Sequence, residues 1–250
     1  MTPNPPIQDA HAAAHPRDLD FRHLAAGSAR ITTAARITIA IAWVALLAAP
    51  IALLVGHLGL HDLSWTRSQI STYAARAPNG AWITAAMLLA ALSLLCLGIS
   101  ISSRRAQGAG IFNHIASMTF GVAVSGLLIL ANFKETAANI TQLKKMGFEA
   151  IRQQTFHDAG LLLFFYGSAA ALAIAGVVVS LRTADWLSRV SGIVVALAGP
   201  IAYGALISPW PKYLGFAGAD AGMKQRAAFL ALWIGGLVLL AAVTNNRQRA

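Results

Sequence analysis

Along this chain, long uncharged apolar runs alternate with short polar connections. The cleanest run extends from Ala159 to Leu181 without a charged side chain and ends on Arg182. At about 1.5 Å of rise per residue, a run of that length crosses a hydrocarbon layer of about 30 Å. Inside lipid the backbone must satisfy its own hydrogen bonds, so the run is predicted to be a helix and not a strand. Five more runs obey the same rule, placing spans at about 37–55, 81–101, 111–133, 159–181, 190–208 and 227–243. The predicted fold class is therefore all-α. It is a polytopic integral membrane protein, a bundle of six transmembrane helices over residues 31–246. Residues 1–30 are rich in Ala, Pro and His, with no apolar period, and read as a disordered cytoplasmic tail. The first apolar run begins too far along the chain for a secretory signal.

Smaller features refine these helices. In the fourth run, Gly167, Ala171 and Ala175 recur every four residues, a stripe on which a neighbouring helix can approach closely. Pro50 is expected to kink the first span. The Gly199–Pro200 step in the fifth is expected either to free carbonyls at a bend near a cavity or to serve packing alone. In the connection after the third span, Ile140, Leu143, Gly147 and Ile151 share a face, with Lys144, Lys145, Glu149 and Arg152 elsewhere. That pattern predicts one short amphipathic helix on the headgroup layer.

Composition agrees with lipid as the solvent. Only 11% of the 250 residues are charged, against about 25% in a soluble domain. The net charge of +10 would suggest nucleic acid in a soluble protein, but the basic residues here lie in tails and loops, where they contact anionic headgroups. No basic–aromatic surface of a nucleic-acid binder is found, so the expected partners are membrane lipids. Cys96 is the single cysteine, which excludes an internal disulfide and a multi-cysteine metal site. Six spans bring both termini to one side. The short connections 102–110 and 182–189 carry Arg104, Arg105, Arg182 and Arg189, which places that side in the cytoplasm of a bacterial inner membrane.

The three outer connections, 56–80, 134–157 and 209–226, are longer and are where a site is expected. His57 and His61 are four residues apart with Asp62 next, and share a face if the helix continues that far. His157 and Asp158 open the fourth span on the same side, with Asp158 expected in its first turn, where the helix dipole favours a carboxylate. Ser71 and Tyr73 lie in the adjoining loop and could hold a phosphate or donate protons. The candidate polar site is therefore His57, His61, Asp62, Ser71, Tyr73, His157 and Asp158. Of these, His57, His61 and His157 are the candidate ligands for Zn²⁺, the one cofactor this pattern admits, leaving a position for water. The same residues serve equally well as headgroup contacts and helix caps, and the pair lacks the glutamate of an HExxH motif. In the third span His114 has no His partner on its own side, which argues against haem. Four functional readings remain: a lipid-interacting protein with a headgroup-facing site, a metal-dependent membrane hydrolase, a small-solute transporter, and a subunit that only scaffolds a partner. The scarcity of mid-span charge and the lack of a broken-helix repeat weigh against transport.

The segment SQISTYAARAPNGAWITAAMLLAALSLLCLG, through Ile70, Ser71, Tyr73, Ala74, Asn79, Gly80 and Trp82, resembles a signature of the uncharacterised six-helix membrane family called domain of unknown function 998. His157-Asp158-Ala159-Gly160 is similar to that family's start of the fourth span. Thr72 stands where many relatives carry Glu or Asp, and Lys134-Glu135 replaces their Pro-Asp element. The resemblance implies a six-helix fold over about residues 37–244 and no particular reaction. A more distant likeness to the Frag/Sfk group implies lipid handling.

Overall fold

The computed structural model describes residues 33–58, 68–103, 110–136, 140–183, 185–213 and 220–248. The predicted tail lies outside them. The helices are α1 (Thr33–His57), α2 (Ile70–Arg76), α3 (Gly80–Ser102), α4 (Gly110–Asn132), α5 (Ile140–Met146), α6 (Phe148–Arg182), α7 (Trp186–Ile207), α8 (Trp210–Tyr213) and α9 (Asp220–Gln248). No strand occurs among the described residues. Six helices, α1, α3, α4, α6, α7 and α9, are long and apolar enough to cross a membrane. Each exposes large apolar side chains outward, among them Val44, Leu88, Met118, Leu162, Ile201 and Leu230. Apolar residues covering both the inner and outer faces of a helix mark one that has lipid, not water, around it. The chain is an all-α multi-pass membrane protein.

Each long helix packs closely on the next in sequence, so the order around the bundle is α1, α3, α4, α6, α7, α9. The ring closes weakly, because α9 touches α1 only sparsely. Between helices in lipid, attraction comes from close contact and not from expelling water, so small residues decide where backbones meet. On α1, Ala42, Ala45, Ala49, Ala52 and Gly56 are buried at spacings of three and four. Ser93 of α3 adds a hydrogen bond to the carbonyl of Ala42, 3.2 Å. Helix α6 uses two small faces where one stripe was expected. Toward α4, a Cβ on Gly167 would lie 2.7 Å from the Ala123 nitrogen. Toward α7, a Cβ on Gly192 would lie 2.5 Å from the Ser180 nitrogen, and Gly199 abuts the Ala169 backbone.

Several boundaries differ from the predicted ones, each for a local reason. Helix α6 begins at Phe148 instead of 159, and its 35 residues extend about 52 Å, longer than a hydrocarbon layer of about 30 Å. The single amphipathic helix expected over 140–152 is divided at Gly147, whose φ is +91°. Only glycine adopts that angle without strain, so α5 stops there and the second half becomes the first turns of α6. Helix α7 starts at Trp186 because Asp185 caps it, accepting from the Ser188 N–H (3.1 Å) and its hydroxyl (2.9 Å). The Gly199–Pro200 step lies inside an unbroken helix, where it serves close contact with α6.

Candidate functional site

The end of the bundle that gathers His57, α2, the α4–α6 connection and the start of α9 is closed by a roof. Helix α2 is seven residues long, too short to hold itself together in isolation. Its buried side, Ile70, Ser71, Tyr73 and Ala74, faces the bundle, and Arg76 faces out. Tertiary bonds hold it at both flanks. The first N–H, which no helical carbonyl can satisfy, donates from Ile70 to Gln225 Oε1 at 2.7 Å. Glu135 Oε2 accepts from the Ser71 hydroxyl at 2.9 Å and the Thr72 hydroxyl at 2.7 Å. Arg226 Nη1 donates to the Ser68 carbonyl at 2.9 Å.

Beneath the roof, His57, Tyr73 and Arg226 form a cluster. The His57 ring lies 4.3 Å from the Tyr73 ring, centroid to centroid. The Arg226 guanidinium carbon is 5.5 Å from the Tyr73 centroid, within cation–π range. Arg226 Nη2 is 2.9 Å from His57 Nε2, and His57 Nδ1 is 2.6 Å from the Leu53 carbonyl. A guanidinium only donates, so Nε2 must offer its lone pair and the ring proton sits on Nδ1, donating to Leu53. Both ring nitrogens are therefore engaged. Metal ligation through Nε2 would require Arg226 to leave.

Below this cluster lies a cavity of about 360 Å³ walled chiefly by α1, α3, α6 and α9, within the size range of small-ligand sites. Its lining is apolar, with Leu53, Met87, Phe164, Phe229 and Trp233 prominent. Arg226 is the ionisable residue among its described lining, and Ile70 of the roof closes that end. Pro50 also lines it. Proline has no N–H to offer the carbonyl four residues back, so the Leu46 carbonyl is left for Trp233, whose indole N–H donates to it at 2.9 Å. Pro50 thus opens a bonding position across to α9.

The predicted site residues separate into three places. His57, Ser71 and Tyr73 belong to the roof and its cluster. His157 is 1% exposed and ties α6 to α4, its Nδ1 lying 2.9 Å from the Phe133 carbonyl. Its Nε2 has no hydrogen-bond partner among the described residues. Asp158 borders a second groove of about 600 Å³ between α6, α7 and α9, shared with Lys224, Gln225, Tyr166 and Tyr203. Because α6 starts at Phe148, Asp158 is not in a first turn. It accepts from Gln154, one turn earlier, at 2.9 Å. His61 and Asp62 lie outside the described residues. Among the described residues no three His, Cys, Asp or Glu side chains gather as a metal-binding group. Arg226, Gln225 and Trp233 carry the site's geometry without having been singled out from sequence, and Glu135, noted there as part of Lys134-Glu135, holds the roof. A signal was present for two of them: Gln225 and Arg226 are the last polar pair before the apolar run 227–243, and an arginine at that boundary is a functional candidate by default.

No family model, curated protein or solved structure matches this chain.

Proposed function

We propose that this is a lipid-binding protein of the bacterial inner membrane, with both termini in the cytoplasm. It would hold an acyl chain in the cavity and the lipid's polar end at the Arg226–His57–Tyr73 cluster. The observation that carries this reading is the polarity order of the cavity, apolar along its walls and cationic at one end, which is the order of an amphiphile. The short basic connections 102–110 and 182–189 support the orientation. The resemblance of residues 68–98 to the family of unknown function 998, and through it to a lipid-handling group, points the same way. The hydrolase alternative draws no support from His57, whose two nitrogens are both engaged.

Native mass spectrometry of the protein taken from bacterial membranes into mild detergent tests the proposal. Retained lipid is expected on the parent. Gly236→Leu and Ala90→Leu, which fill the cavity from α9 and α3, should each lose most of it while eluting as the parent does. A parent free of lipid, with a melting temperature indifferent to added lipid, would overturn the reading.

A further inference from the structure

Resting on that lipid reading, we infer that the bound lipid is anionic and that it reaches the cavity sideways from the bilayer, between α1 and α9. Three observations narrow the other routes. The roof blocks the aqueous end: Ile70 and Tyr73 are each 2% exposed, and α2 is bonded to α9 on one flank and to Glu135 on the other. Helices α4, α6 and α7 meet backbone to backbone at Gly126, Gly167, Gly176 and Gly192, leaving no width for a chain. Helix α3 is held to α1 by the alanine stripe and the Ser93 bond.

The α1–α9 seam is built differently. The nearest foreign atoms to a Cβ on Gly236 would be the ends of the Leu46 side chain, at 3.7 and 3.8 Å, an ordinary contact with no backbone lock. Leu230 lines the cavity and is 55% exposed, so no neighbouring helix covers it. Three side-chain bonds tie the seam at three depths. Arg226 meets His57 near the roof, Trp233 meets the Leu46 carbonyl midway, and the Trp43 indole meets the Thr244 hydroxyl at 3.2 Å toward the other end. Single bonds of this kind exchange without unfolding anything, whereas a backbone contact between two helices does not.

The charge preference follows from what lipid tails cannot do. Hydrocarbon is as apolar as leucine, so moving a chain from bilayer to cavity discriminates little, and selection falls to the polar end. There the ionisable residue of the lining is a guanidinium, whose planar fork matches a phosphate and which repels a headgroup carrying its own ammonium. A phosphate arriving through the seam can replace the His57 nitrogen as acceptor for Arg226 Nη2, exchanging a neutral acceptor for an anionic one. The same exchange unties the outer end of the seam, so binding and opening are one event.

The test uses the whole chain in nanodiscs containing a trace of phosphatidylglycerol with a diazirine on its acyl chain, against the same label on phosphatidylcholine. After illumination, adducts are mapped by peptide mass spectrometry. Adducts are expected on residues 46–53 and 229–236, with the anionic label favoured about tenfold, because both lipids offer Arg226 a phosphate but phosphatidylcholine brings its own ammonium against the guanidinium. Arg226→Gln should bring phosphatidylglycerol down to the phosphatidylcholine level, and Arg226→Lys should keep part of the preference. Trp233→Phe should speed cavity labelling, and Glu135→Ala, which loosens the roof, should not. Equal cavity labelling by both lipids would remove the anionic preference and leave lipid binding standing. Faster labelling in Glu135→Ala with none in Trp233→Phe would move the route to the roof. Adducts confined to outward-facing side chains would overturn lipid binding itself.

Discussion

Two sides of one bundle solve the same problem in opposite ways. Where α6 meets α4 and α7, glycine and alanine remove the side chains and the backbones touch. Where α9 meets α1, bulky residues stand on both sides, a cavity remains between them, and three hydrogen bonds span the gap. The first arrangement gains dispersion contact over its whole length and has one geometry. The second keeps few contacts and can open. In lipid, where no water is expelled when helices associate, contact quality separates a permanent wall from a seam.

The largest effect is expected on the wall. Gly126 and Gly121 lie on the same helix, but a Cβ on Gly126 would strike the Phe164 backbone, whereas one on Gly121 would meet nothing within 4 Å. Gly126→Leu should cost more than about 3 kcal/mol and show as a lost or aggregated peak in detergent, because backbone cannot yield as a side chain does. Gly121→Leu should melt with the parent. If both behave alike, backbone contact is not what holds that wall.

A smaller effect is expected at the roof. Glu135→Ala removes the acceptor for two hydroxyls and should cost about 1–3 kcal/mol, read as a lower melting temperature and faster cleavage near residues 68–77 by added protease. Smaller still, and sharper, is the seam's central bond. Trp233→Phe should cost about 1 kcal/mol, since the Leu46 carbonyl loses its donor. Pro50→Ala supplies a helical N–H to that same carbonyl, so in its background Trp233→Phe should cost appreciably less. Equal costs in both backgrounds would mean that the proline does not set up the indole bond.

How far the sequence could be read depended on whether the deciding interaction was local. His57, Ser71 and Tyr73 were legible as polar residues at one end of the bundle, and the structure places them in one roof. His157 was read as their neighbour but spends its Nδ1 on the Phe133 carbonyl, because α6 continues outward and seats that imidazole against the end of α4. Asp158 changed role for the same reason. Pro50 by itself predicts a kink. Its consequence, an indole from α9 on a vacated carbonyl of α1, depends on a residue 187 positions away from Leu46. Arg226 stands at the edge of an apolar run, but the histidine that gives it a role lies 169 residues earlier.

The number of membrane helices and their identity were settled by the chain alone, since every segment in lipid must satisfy its backbone within itself and that requirement is written residue by residue. Which helices touch tightly, which leave a cavity, and that Arg226 meets a histidine 169 residues earlier were decided only by the assembled bundle. Those outcomes turn on the shapes of surfaces brought together from distant parts of the chain, and no stretch of sequence contains both partners.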